Sequence, residues 1–185
     1  MVVITRLTLV PSPFKRVILP ATVRIPIPST ATGRDHYDYT EYVRRFITSE
    51  FEIGKFSVTN EQYGAFLRAT RQTVPPLVSN PELDNHPVVN VSWHHAVKYC
   101  AWLSRETGEP WRLPTAAEWE FAARGHEGLI FPYGNEFDDS NGNSSVVNRS
   151  QGTAPVDAHP KGASPFGVMD MTGNVWEWVG DWYGS

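Results

Sequence analysis

Beyond Gly128 the apolar residues of this chain repeat with neither the period of two of a strand nor the period of about 3.6 of a helix. Residues 128–185 are Gly, Asn, Ser, Asp and Pro interrupted by short apolar patches. Loop text of that length is functional or held by a ligand more often than it is idle. It also ends on a cluster of large aromatics, Trp176, Trp178 and Trp182. All seven tryptophans lie in the second half of the chain. No internal repeat is visible.

Charge follows the same asymmetry. Residues 1–92 carry ten Lys/Arg and eight Asp/Glu, whereas residues 93–185 carry six and twelve. An acidic end argues against a nucleic-acid partner, which needs clustered Lys/Arg, and favours a cation site. A length of 185 residues is compatible with one domain and a sizeable core. No apolar run approaches the length of a membrane span, so no membrane partner is expected. The opening MVVITRLTLVPSPFKRVILP is broken by Arg6, Pro11 and Pro13 and makes a poor signal peptide, which points to a cytoplasmic protein.

Residues 1–50 read as extended and proline-punctuated, with short edge strands at VVIT, RVIL and TVRIPI. The strand FEIGKFSV then feeds a first helix at Thr59. Thr59 and Gln62 make a capping box there, and Val58 can staple onto Tyr63. A second helix starts at Ser92, carries Ala96, Tyr99, Cys100 and Leu103 on one face, and ends near Gly108. A third starts at Thr115, with Glu118 as its capping partner, and stops at Gly125. Trp119 and Ala122 are expected to face inward.

The segments IGKFSVTNEQY (53–63), PVVNVSWHHAVKYCAWLSRETGEPWRLPTAAEWEFAARG (87–125), YGNEF (133–137), QGTAPVDA (151–158) and PFGVMDMTGNVWEW (165–178) resemble the formylglycine-generating enzyme, or sulfatase-modifying factor, family. VRIP (23–26) is similar to its opening strand. The resemblance divides the chain into an extension, 1–22, and a family-like domain, 23–185. It implies an α+β fold, a loop-rich variant of the C-type lectin fold with about three helices and short strands, whose loops are tied by calcium. It also implies oxidation of a sulfatase cysteine to formylglycine, with copper held by a cysteine pair downstream of NVWEW. That segment is not in this sequence, so copper is expected only if the segment is supplied, for instance by another chain that completes the domain.

Cys100, the one cysteine, sits on the apolar stripe of the second helix and reads as a small buried hydrophobe. His94 and His95 are adjacent and make no i, i+4 metal pair. No catalytic residue is therefore assigned.

Calcium takes six to eight hard oxygens, many of them main-chain carbonyls. By resemblance, Asp170, Gly173, Val175 and Glu177 form one calcium position. Asn143, Ser144, Asn148 and Ser150 approximate another, weakened because Asn148 stands where the family carries an acid. Read without the resemblance, both are also Asp/Asn-rich turns that cap their own amides.

Trp93, Trp102, Trp111 and Trp119 are expected to pack between elements. Trp178 is expected in the core. Trp176 matches the tryptophan that lines the family's substrate-peptide cleft, and packs if it does not. Two functions follow as expectations. One is a formylglycine-generating-type domain, inactive alone. The other is a non-catalytic, calcium-stabilised module that binds a protein or peptide on the same fold.

Overall fold

The structure is a computed structural model, and it describes residues 3–6, 17–26, 47, 49–144 and 152–182. Four short strands form one antiparallel sheet: β1 (Thr5–Arg6), β2 (Thr22–Ile25), β3 (Phe51–Gly54) and β4 (Trp111–Arg112), in the order β2-β3-β1-β4. Three helices are α1 (Asn60–Ala69), α2 (Trp93–Thr107) and α3 (Ala116–Arg124). The architecture is the expected α+β mixture.

The helices begin where the caps place them. Thr59 and Thr115 each accept from the N3 amide while the N3 side chain, Gln62 or Glu118, accepts from the cap amide. Ser92 caps α2, accepting from the His95 amide at 3.3 Å. Gly108 ends it in the left-handed region, φ 74°, which side chains with a Cβ adopt at a cost.

The strands depart from expectation in two ways. The residues at 17–19 are not in a strand. The strand at Thr5–Arg6 is interior rather than an edge, paired with β3 on one side and β4 on the other. A half-buried ion cluster joins it to its neighbours. Arg6 pairs with Glu52 of β3 and Glu109, and its guanidinium lies 5.2 Å over the Trp111 ring. The sheet therefore joins residues 5–6 to residues 111–112.

Two apolar cores flank this frame. α1 and α2 pack Tyr63, Phe66, Tyr99 and Trp102 as a ring cluster with centroids 5.3–5.7 Å apart. α3 packs Phe121 and Ala122 against Ile25, Phe51 and Ile53 of the sheet, with Val168 and Met171 from the acidic end. Burying a Val, Ile, Phe or Met side chain of this kind contributes roughly 1.5–3 kcal/mol. Val168 and Met171 thereby anchor the loop-rich end to the sheet, and the Met169 amide donates to the Lys55 carbonyl at 2.9 Å.

Candidate cation and peptide site

The acidic end folds around a cavity of about 570 Å³. Asp170, Gly173, Val175 and Glu177 all line it, as do Asn143, Ser144 and Trp176. Asn148 and Ser150 lie outside the described residues. The loop that holds the first four is unusual in its backbone. Asp170 and Asn174 both have positive φ, 60° and 64°. Short polar side chains tolerate that region because they bond locally.

Asn174 carries most of that local bonding. Its Nδ2 donates to Asp170 Oδ2 at 3.0 Å and to the Ala154 carbonyl at 3.0 Å. Its Oδ1 accepts from the Ala154 amide and from Asn143 Nδ2. Its amide donates to the Asn143 carbonyl at 2.9 Å. The two loops that the sequence nominated separately are thus one unit. Gly173 is needed at this crossing, because a Cβ there would meet the Asn143 carbonyl oxygen at 2.9 Å.

Glu177 reaches the cavity from the far side. Ser57 donates to its Oε1 at 3.1 Å, and the Trp119 indole N–H donates to its Oε2. Trp119 therefore packs partly against the core and partly serves the site. Burial pushes the Glu177 carboxyl up to about 7, against the pull of those two donors, and the neighbouring Asp170 charge adds to the rise. Asp170 is itself raised by burial, with the Asn174 bond opposing.

Desolvation raises the proton affinity of both carboxylates, and the Asp170 charge raises that of Glu177 further. No Lys or Arg lines the cavity among the described residues. The donors are carboxylate, amide, hydroxyl and carbonyl oxygens, which fit a hard cation such as calcium. Each carboxylate oxygen of Glu177 accepts one hydrogen bond and keeps a lone pair for a metal.

Among the described residues, copper has neither an accessible thiol nor a histidine cluster to hold it. The one cysteine, Cys100, is buried in α2, and burial pushes its thiol up to about 12. His94 and His95 are exposed. His86 Nδ1 instead lies 2.9 Å from Thr153 Oγ1, and His159 Nδ1 lies 3.3 Å from the Ser140 carbonyl.

Trp176 stands at the cavity rim with 96% of its surface exposed, so it does not pack. Trp178 was expected in the core and is not there: 40% of it is exposed, and its indole N–H donates to the Val91 carbonyl at 2.7 Å. That bond, with Trp93 Nε1 to the Val179 carbonyl at 2.9 Å, ties the segment to the start of α2. Asp181 Oδ2 accepts from the Ala116 amide at 2.5 Å, so the segment is also tied to the N-terminus of α3, where a negative charge is favourable. Trp102 and Trp111 are buried as expected, and Trp93 is partly buried.

Sequence reasoning missed Ser57, Trp119 and Asn174 as members of the site. Ser57 and Trp119 lie 120 and 58 positions from Glu177, and no spacing links them. Asn174 had a signal, since Asn tolerates a positive φ inside a Gly-Asn turn.

The sequence model for the sulfatase-modifying factor enzyme 1-like domain matches residues 9–185. Formylglycine-generating enzyme of Mus musculus is 42% identical over 112 residues, which are 54% of this chain and 28% of that protein. Inactive C-alpha-formylglycine-generating enzyme 2 of Bos taurus is 38% identical over 123 residues, 61% of this chain and 38% of that protein. The solved structure of PvdO from Pseudomonas aeruginosa superposes with a TM-score of 0.60 at 27% identity, covering 88% of this chain and 69% of that one. The chain thus spans well under half the length of these two curated relatives. On the family match and on the fold, it belongs to the formylglycine-generating enzyme, or sulfatase-modifying factor, family.

Proposed function

We propose that residues 128–144 and 152–182 form the calcium-tied, peptide-facing wall of a formylglycine-generating-type domain, and that this chain does not oxidise cysteine by itself. The observation that carries the reading is the shared cavity. Asp170 and Glu177 face it as carboxylates whose desolvation raises their proton affinity, and the exposed Trp176 ring stands at its rim. Calcium there would be held by Asp170 and Glu177 with the Gly173 and Val175 carbonyls, and Asn143 and Ser144 join from the neighbouring loop. The cation would discharge the two carboxylates and fix the loop that presents Trp176. An indole held this way offers a rigid, low-entropy contact for a peptide.

The buried, protonated Cys100 supports the second half of the reading, because the thiolate is the reactive form. Oxidation would need cysteines supplied by a further segment or by another chain that completes the domain. The test uses a cysteine-bearing sulfatase peptide in air with calcium and copper. The expected result is quenching of Trp176 emission on mixing, lost in Trp176→Phe, with no formylglycine by mass spectrometry. Formylglycine produced by this chain alone would overturn the proposal.

The non-catalytic module is the second reading, and the same exposed Trp176 favours it. The two part on one outcome. A cysteine-bearing segment added in trans restores oxidation in the first and has no effect in the second.

A further inference from the structure

A second opening, of about 750 Å³, lies between α2 and the segments that carry Leu113 and Asp181. It shares no lining residue with the acidic cavity. α2 turns Ala96, Tyr99, Cys100 and Leu103 into the core. Its adjoining face repeats Trp93, Val97, Ala101 and Arg105 at four-residue spacing, which aligns them along one side of the helix. That row borders the opening, and Val97 and Ala101 are exposed. A stripe of this kind spans roughly 18 Å of helix at about 1.5 Å per residue.

The groove is closed to an added strand. The Trp111 amide already donates to the Ser104 hydroxyl at 2.9 Å, so this donor of the β4 edge is not free. The Pro114 carbonyl is taken by the Gly180 amide at 2.7 Å. What remains to offer is apolar surface and charge.

The charges are unequally answered. Arg112 is held by both oxygens of Glu118, at 2.7 and 2.6 Å. Asp181 accepts from the Ala116 amide. Arg105 also lines the opening and has no ion pair among the described residues. An apolar row that ends in one unanswered guanidinium complements a flat apolar body carrying an acid. The volume lies within the range of about 300–1,000 Å³ typical of small-molecule sites.

We propose that this groove binds a small planar aromatic anion, its rings against Val97, Ala101 and Leu113 and its acid at Arg105. The test is an NMR titration of the full chain with two probes of the same body and opposite charge, naphthalenesulfonate and naphthylmethylammonium. The sulfonate is expected to bind about tenfold more tightly, the size of one charge-assisted hydrogen bond. Its amide shifts should fall on residues 93–105 and 111–115. Arg105→Gln should remove the preference between the probes. Ala101→Leu adds bulk at an exposed position with good helix propensity, and should weaken both. Both variants must keep the native amide spectrum, which separates loss of binding from loss of fold. Equal affinity of the two probes, no binding of either, shifts confined to the Trp176 cavity, or Ala101→Leu binding like the parent would each overturn the proposal.

Discussion

At the scale of single residues, Glu177 carries the sharpest consequence. Its carboxyl is raised from an ordinary 4.5 to about 7, so the native state binds more protons than the unfolded chain between those values. Stability then falls as pH rises through that window, the sign that linkage requires when the native form holds the extra proton. Without metal, the melting temperature should therefore drop between about pH 4.5 and 7, and calcium should remove the drop. Glu177→Gln keeps an acceptor for Trp119 and loses the charge. It should flatten the metal-free profile and abolish the calcium response, read by thermal melts across pH with and without chelator. Glu52 behaves in the opposite way. Burial raises its carboxyl, but the Thr22 hydroxyl and the Arg6 guanidinium outweigh that and hold it below the ordinary carboxylate range. Its contribution is present above the unfolded value and is lost as pH falls through the lowered one. Arg6→Met should therefore destabilise at pH 7 and shrink in effect as acid is added, measured by urea melts.

At the scale of elements, the helices were legible and the sheet was not. Thr59, Ser92 and Thr115 mark helix starts because a cap is a contract between residues three positions apart. Thr115→Ala should cost about 1 kcal/mol. By loosening the first turn of α3 it should also lower the affinity for calcium, since Trp119 on that turn holds Glu177. Isothermal titration checks the second effect, and a denaturant melt the first. The sheet resisted prediction for the opposite reason. β1 and β4 are two residues each, too short for a period, and their pairing joins positions 5–6 to 111–112. Arg6 between Glu52 and Glu109 joins β1 to its neighbours through a long-range ion cluster with no local trace. Trp178 misled for a related reason. A large aromatic among short apolar patches reads as core, but the segment runs over the start of α2 and is held by indole-to-carbonyl bonds.

At the scale of the molecule, the aperiodic, acidic text beyond Gly128 folds onto a frame built by the rest of the chain. Val168 and Met171 sink into the core, the Asn143 and Asn174 loops lock together, and Asp181 reaches the N-terminus of α3. The sequence motifs were sufficient to nominate Asp170, Gly173, Val175 and Glu177 as neighbours, and the cavity brings all four together with Trp176. They could not show that Ser57 and Trp119 hold Glu177 from elements far away, because only the fold sets those distances. The family match covers residues 9–185, and the curated relatives extend well beyond the shared region.

The most direct measurement is the thermal melt of this chain at pH 7 in calcium and in chelator, followed through tryptophan emission. Calcium at about 100 times its dissociation constant should add roughly 2.7 kcal/mol of stability. For a domain of this size that is on the order of 5–10 °C in melting temperature. The same addition should shift the emission of Trp176, and Glu177→Gln should show neither change. Superimposable melts and emission spectra in calcium and chelator would contradict a calcium-tied wall.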